Sequence, residues 1–342
     1  MNLKKLTQPM VRCAYFAPLL AALSFISSCQ KDAATTPVSE DANLKDLNTT
    51  SSAAATASKY KFSNPISLNG AHDITISGDS INGGSQVCIN LVGCNNIHIT
   101  NCRLGNSKTL GIQLSNCTNI LIDYNYITNV STGVYAVGSK TVRVNYNEMK
   151  NMQGPYPRGA FVQFDNVSGG YNRVSFNKFE NIMGASYPED AISMYKSNGI
   201  ASDPIYIIGN WIRGGGPSKT GGGIMLGDNG GSYQTASANI LVDPGQYGMA
   251  VSGGTNMQIT NNSIYAKAQS FTNVGLYYWN QSGLSSSAVT ISGNKVNFTS
   301  GMYGKNNSYI GSGSATPTGW STNTWNASIT ASILPATIIP YK

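Results

Sequence analysis

The chain has 342 residues, only 11% of them charged, with 37 glycines, 19 tyrosines and a formal net charge of +7. So mild a balance, with no basic cluster interleaved with aromatics, excludes a nucleic-acid-binding footprint. The length suffices for one elongated domain with a large core. His72 and His98 are the only histidines; both read as structural, which argues against histidine nucleophiles or histidine metal sites.

In chain order, residues 1–28 read as a secretory signal. Lys4, Lys5 and Arg12 flank an apolar run over 14–26, shorter than the ~20 residues that span a bilayer. The sequence Phe25-Ile26-Ser27-Ser28-Cys29 resembles a bacterial lipoprotein lipobox, which implies cleavage before Cys29 and lipidation of that cysteine. Gln30-Lys31-Asp32 resembles the charged tag of surface-displayed outer-membrane lipoproteins. Loss of the leader leaves 19 basic and 15 acidic residues, a net +4. Residues 29–60 are rich in Ala, Thr and Ser without apolar periodicity, and read as a disordered tether.

Residues 61–300 repeat one frame, Ile-x-Ile-x-x-Asn-x-Ile. Its members are ITISGDSI (74–81), IHITNCRL (97–104), ILIDYNYI (120–127), VRVNYNEM (142–149), IYIIGNWI (205–212), MQITNNSI (257–264) and VTISGNKV (289–296). Weaker members are NRVSFNKF (172–179) and a rung centred on Asn239. The turn position is held by Asp79, Cys102, Asn125, Asn147, Asn177, Asn210, Asn239, Asn262 and Asn294, at spacings of 23, 23, 22, 30, 33, 29, 23 and 32. Short alternating strands at such a period, with no helix between them, predict a solenoid of about nine coils. Turn asparagines would then stack at the ~4.8 Å strand spacing and bond along the axis. This frame, with the Gly-Ile-x-Leu strand at 111–114, resembles the right-handed parallel β-helix of the pectate-lyase-like superfamily. The fold class expected is therefore all-β, a single right-handed parallel β-helix. Residues 301–342, with Trp320, Trp325 and an apolar tail, are expected to cap its last coil.

Cys88, Cys94, Cys102 and Cys117 lie in the first coils. Cys94 and Cys117 share a column, ~5 Å apart and within disulfide reach, and an oxidising compartment allows the bond. Stacked thiols acting as small hydrophobes are the favoured reading.

Chemistry is expected where the repeat swells. The extra residues between Asn147 and Asn239 must leave the strands as loops, near 152–158, 184–189, 197–204 and 214–220. Aligning the strands that begin each coil turns Gln163, Ser193 and Met225 outward and puts Asp165, Lys196 and Asp228 on neighbouring rungs beneath these loops. Charges gathered there form the candidate site.

The resemblance implies an extracellular enzyme acting on anionic polysaccharide, with a uronate lyase as the leading expectation. Such β-helix lyases use Lys or Arg bases, often with calcium. By that resemblance Lys196 is the base, and Arg213 or Arg158 neutralises the carboxylate or acts as acid. Asp165, Glu189, Asp190 and Asp228 offer oxygen ligands for calcium. Tyr156, Tyr187, Tyr195 and Lys219 would contact sugar. Glu189 to Ser197 resembles the Glu-x-Glu-xxxx-Lys-Ser stretch of the chondroitinase B and alginate-lyase group. Where that group continues with Leu-Arg-His-Gly, this chain has Met225-Leu226-Gly227-Asp228. Two alternatives stand beside the lyase. One is a glycoside hydrolase drawing two carboxylates from Asp165, Asp190 and Asp228. The other is a non-catalytic glycan-binding or structural surface protein, for which outward aromatics among Tyr135, Tyr277, Tyr278 and Trp279 would form a platform. A monomer is expected, touching the membrane only through its anchor.

Overall fold

The computed structural model describes residues 60–340, apart from 282, 284 and 285. The expected signal (1–28), Cys29 and nearly all of the tether (29–60) lie outside the described residues. No helix among the described residues is long and apolar enough to cross a membrane.

Alternating Ile-x-Ile segments bury one side of each strand, and every coil supplies three such strands, one to each of three parallel sheets. Coil 1 runs Ile66–Asn69, His72–Ser77 and Asp79–Gly84; coil 3 runs Leu110–Ser115, Thr118–Asp123 and Tyr126–Thr128. We call the three sheets face 1, face 2 and face 3 in that order. Nine coils repeat the pattern among the described residues, the ninth starting at Val274–Tyr278. A tenth begins with Ser308–Ile310, which pairs in parallel with face 1 of coil 9. The coil is a right-handed parallel β-helix: the repeat predicts a solenoid, and the resemblance implies its hand.

Inside, residues of like type stack. Ile89, Ile112, Val134, Val162, Ile192, Ile224 and Met249 form one column on face 1, all fully buried. Where the coils lengthen, the core takes larger side chains, and Phe161 stacks on Phe179 at 4.7 Å.

The corner from face 2 to face 3 carries the asparagine ladder. Each Nδ2 donates to the next Oδ1 from Asn125 through Asn147, Asn177, Asn210, Asn239, Asn262 and Asn294 to Asn323, at 2.7–3.1 Å. Each Oδ1 also accepts the backbone N–H of the preceding turn residue, as Asn177 does from Asn147 at 2.9 Å. The amides thereby satisfy backbone groups that the bend removes from the sheets, which a buried corner requires. Cys102 heads the column, its backbone N–H donating to Asn125 Oδ1 at 2.9 Å. All four cysteines in these coils are free and buried. Cys94 and Cys117 turn their thiols to carbonyls of the coil before, Leu68 and Leu91.

The C-terminal region does two things where the sequence suggested one. Trp320 and Trp325, 5.0 Å apart, pack against the last of the core, and Thr324–Trp325 extends face 3. The apolar tail beyond them does not cap the end. It turns back and runs as a strap over the outside of face 3 across several coils. Asn297 donates to the Ile329 carbonyl, Arg213 to those of Ala331 and Leu334, and Lys150 to that of Ile339. Leu334, Ile338 and Ile339 are buried there with Tyr126 and Val242.

Candidate active site on face 1

Three long loops, residues 151–161, 181–191 and 214–223, leave the same corner, between face 3 and face 1. They bond to one another as they stack. Tyr187 N–H donates to Met152 O, Glu189 N–H to Gly159 O, and Ser218 and Thr220 hydroxyls to Glu189 Oε2 at 2.8 and 2.7 Å. The result is a wall along one edge of face 1. The fourth expected loop, 197–204, lies on the opposite edge, between face 1 and face 2.

Outward side chains make the floor. One register column runs Ser67, Asn90, Gln113, Tyr135, Gln163, Ser193, Met225, Ala250, Tyr277. It is amide- and hydroxyl-rich in the early coils, where a cavity of about 280 Å³ includes Ser67, Asn90 and Gln113, and apolar beyond coil 6.

The neighbouring column holds the acids. The alignment paired Asp228 with Lys196, but a bulge between Met225 and Asp228 shifts the register by one residue. Asp165, Tyr195 and Asp228 are therefore partners in one column. Asp165 accepts from Tyr135 Oη at 2.7 Å and Asn166 Nδ2 at 2.6 Å. Asp228 Oδ2 lies 3.3 Å from Ser193 Oγ. Burial raises the Asp228 carboxyl pKa, and the Asp165 charge adds to the rise.

Asp190, at the foot of the wall, is the most perturbed acid. Its Oδ1 accepts the Tyr247 hydroxyl and, at 3.0 Å, the Gly222 N–H. Burial pushes it up to about 7, with the Asp228 and Glu189 charges adding to the rise and these two donors opposing it. Tyr247 is fully covered, packed edge-on against Tyr277 with ring centroids 5.3 Å apart. Gly222 makes room: a Cβ there would come within 2.6 Å of the Tyr247 ring. Tyr277 was expected only as part of an aromatic platform, and Tyr247 was not among the expected site residues. Tyr247 lies 57 positions from Asp190; the bulky residue opening a strand beside Gly222 was the only signal.

The remaining expectations divide. Arg158 is on the trough, its guanidinium 3.9 Å above the Tyr135 ring and 3.0 Å from Gln163 Oε1. Tyr195 is on the trough, its hydroxyl accepting from Asn229. Lys196 is exposed at the face 1 corner, in left-handed backbone (φ 47°), with Nζ 5.2 Å from the Tyr195 ring. Tyr156 and Tyr187 are exposed loop residues. Lys219 is exposed, and its carbonyl accepts from Gln246. Arg213 is not at the site at all: it lies on face 3, tied to the strap, because its strand belongs to another sheet. The four acids read as calcium ligands do not converge either. No three Asp, Glu, His or Cys side chains among the described residues gather as a cation site, and Glu189 and Asp190 are turned to separate protein donors.

A three-sheet parallel coil with a polar ladder at its corner defines a class of architecture, and the comparisons agree with it. The model described as "right handed beta helix region" matches residues 27–179 and 64–224, together more than half of the chain. The chain belongs to this right-handed β-helix family. Among solved structures it is similar to PfbA, a surface adhesin of Streptococcus pneumoniae, at 14% identity and a TM-score of 0.33, with 72% of each chain covered. No curated protein matches it.

Proposed function

We propose that face 1 is a polysaccharide-binding trough and that its acids hydrolyse a glycosidic bond. One observation carries the reading: Asp190, held at the foot of the wall by Tyr247 and Gly222 and pushed up to about 7 by burial, shares the outer side of face 1 with a second carboxyl, Asp228. A protonated acid beside a second carboxyl is what glycoside hydrolysis needs. Asp190 delivers its proton to the leaving oxygen, and Asp228 takes one from the attacking water or attacks the sugar itself. Tyr247 and Gly222 hold the acid in place. The polar column from Ser67 to Gln163 binds the chain on one side of the cut.

Elimination is the second reading, favoured by Arg158: a guanidinium over the trough suits a uronate carboxylate. Incubating the mature protein with pectate, alginate, chondroitin and neutral glycans separates the two. Hydrolysis releases reducing ends without ultraviolet absorbance, and Asp190→Asn or Asp228→Asn abolishes the release. Unsaturated products lost in Lys196→Ala or Arg158→Ala would establish the lyase instead. Binding without products would leave a glycan-binding protein. In the same proposal the chain is lipidated at Cys29 and held at the outer-membrane surface, which labelling with a fatty-acid analogue and a Cys29→Ala control would test.

A further inference from the structure

Beyond the acids, face 1 changes character. In coils 9 and 10 its outer side carries Tyr277, Trp279 and Tyr309. Tyr277 is covered, but Trp279 is 43% and Tyr309 48% exposed, their rings edge-to-face at 6.4 Å. Tyr309 is the register partner of Tyr277 and so continues the floor column. Trp279 follows Tyr278 as the Asp228 bulge follows Leu226, and Leu226, Val251 and Tyr278 are stacked partners. Trp279 therefore stands on the same edge of face 1 as Asp228, two coils further on, roughly 10 Å at the strand spacing.

The indole is held by design of the next coil. A Cβ at Gly311 would fall 2.0 Å from Trp279 Cδ1 and 2.2 Å from Cγ, so the indole lies against bare backbone. This repeats the Tyr247–Gly222 arrangement, with one difference: Tyr247 is sealed and Trp279 is open to solvent.

Given the reading of face 1 as a glycan trough, we infer that Trp279 and Tyr309 form a sugar-stacking subsite on the far side of the cut. Its ligand is a pyranose ring of the bound polysaccharide, lying with its C–H face on the electron-rich indole. The polar column and the aromatic subsite then flank the acids, and the trough is directional.

The test uses the full mature chain carrying Asp190→Asn, so that ligand survives. It is titrated with cello-oligosaccharides and oligogalacturonates of two to six residues, by calorimetry and tryptophan fluorescence. A hexasaccharide is expected to bind and perturb the fluorescence. Trp279→Ala should weaken it five- to tenfold while leaving the melting temperature within a degree or two. Trp279→Phe should restore most of the affinity, and Gly311→Ala should weaken binding by displacing the indole. Equal hexasaccharide affinity with and without Trp279 would overturn the subsite and leave the trough standing. Binding by neither protein would overturn both.

Discussion

At the scale of single residues, the hydrolysis proposed for Asp190 has a signature in pH. Its folded pKa, about 7, lies above the ordinary carboxyl value. Hydrolysis that needs the proton should therefore fall as pH rises through about 7. Tyr247 opposes the rise in pKa by donating to the carboxylate, so Tyr247→Phe should move that limb to higher pH in a pH–rate profile. Stability carries the same sign. Between about pH 4 and 7 the folded state binds the proton that the unfolded chain has lost, so folding weakens with rising pH across that window. Asp190→Asn should remove this dependence and raise the melting temperature at pH 7.5. Both protein donors meet Oδ1, which an amide oxygen can replace. Sequence reading reached Asp190 through its place under the loops, as a calcium ligand in the leading expectation and as a hydrolase carboxylate in the alternative. The partner that fixes its role comes from two coils away, and strand patterns carry no information on which outward side chains meet.

At the scale of elements, the ladder and the strap are separable tests. The Asn177 side chain makes four hydrogen bonds: two accepted from Asn147, one donated to Val144 O and one to Asn210 Oδ1. Asn177→Ala should cost about 2–4 kcal/mol in chemical denaturation, because it leaves buried backbone groups unpaired. The strap crosses a buried ion pair, Lys150–Glu180 at 2.9 Å, with side chains 3% and 5% exposed. Glu180 also accepts the Ile338 N–H. Lys150→Met strands a carboxylate and should cost about 3–5 kcal/mol, whereas Lys150→Met with Glu180→Leu should recover most of it. The ladder was legible because the same residue recurs at the same place in the frame from Asn125 to Asn294, whatever the spacing between coils. The strap was not: Ile333, Leu334, Ile338 and Ile339 announce burial but not against which surface. The Asp228 bulge escaped for a related reason, since an aligned frame has no place for an extra residue.

At the scale of the whole molecule, a coil touches mainly its neighbours, so the stability of a solenoid is close to a sum along its axis. Removing residues 329–342 should therefore leave face 1 and the glycan affinity proposed for it intact while uncovering Tyr126, Trp211, Val242 and Tyr265. The expected result is unchanged binding, a lower melting temperature and a broader transition by calorimetry. The swelling of the repeat made the loops over the middle coils legible, since length can be added there only outside the strands.

The strap also alters how such a rod would yield to force. Peeling from the C-terminal end would have to shear a latch that reaches from coil 9 back to coil 4 before any rung could come away. A stack that ought to fray one layer at a time would instead fail late and all at once.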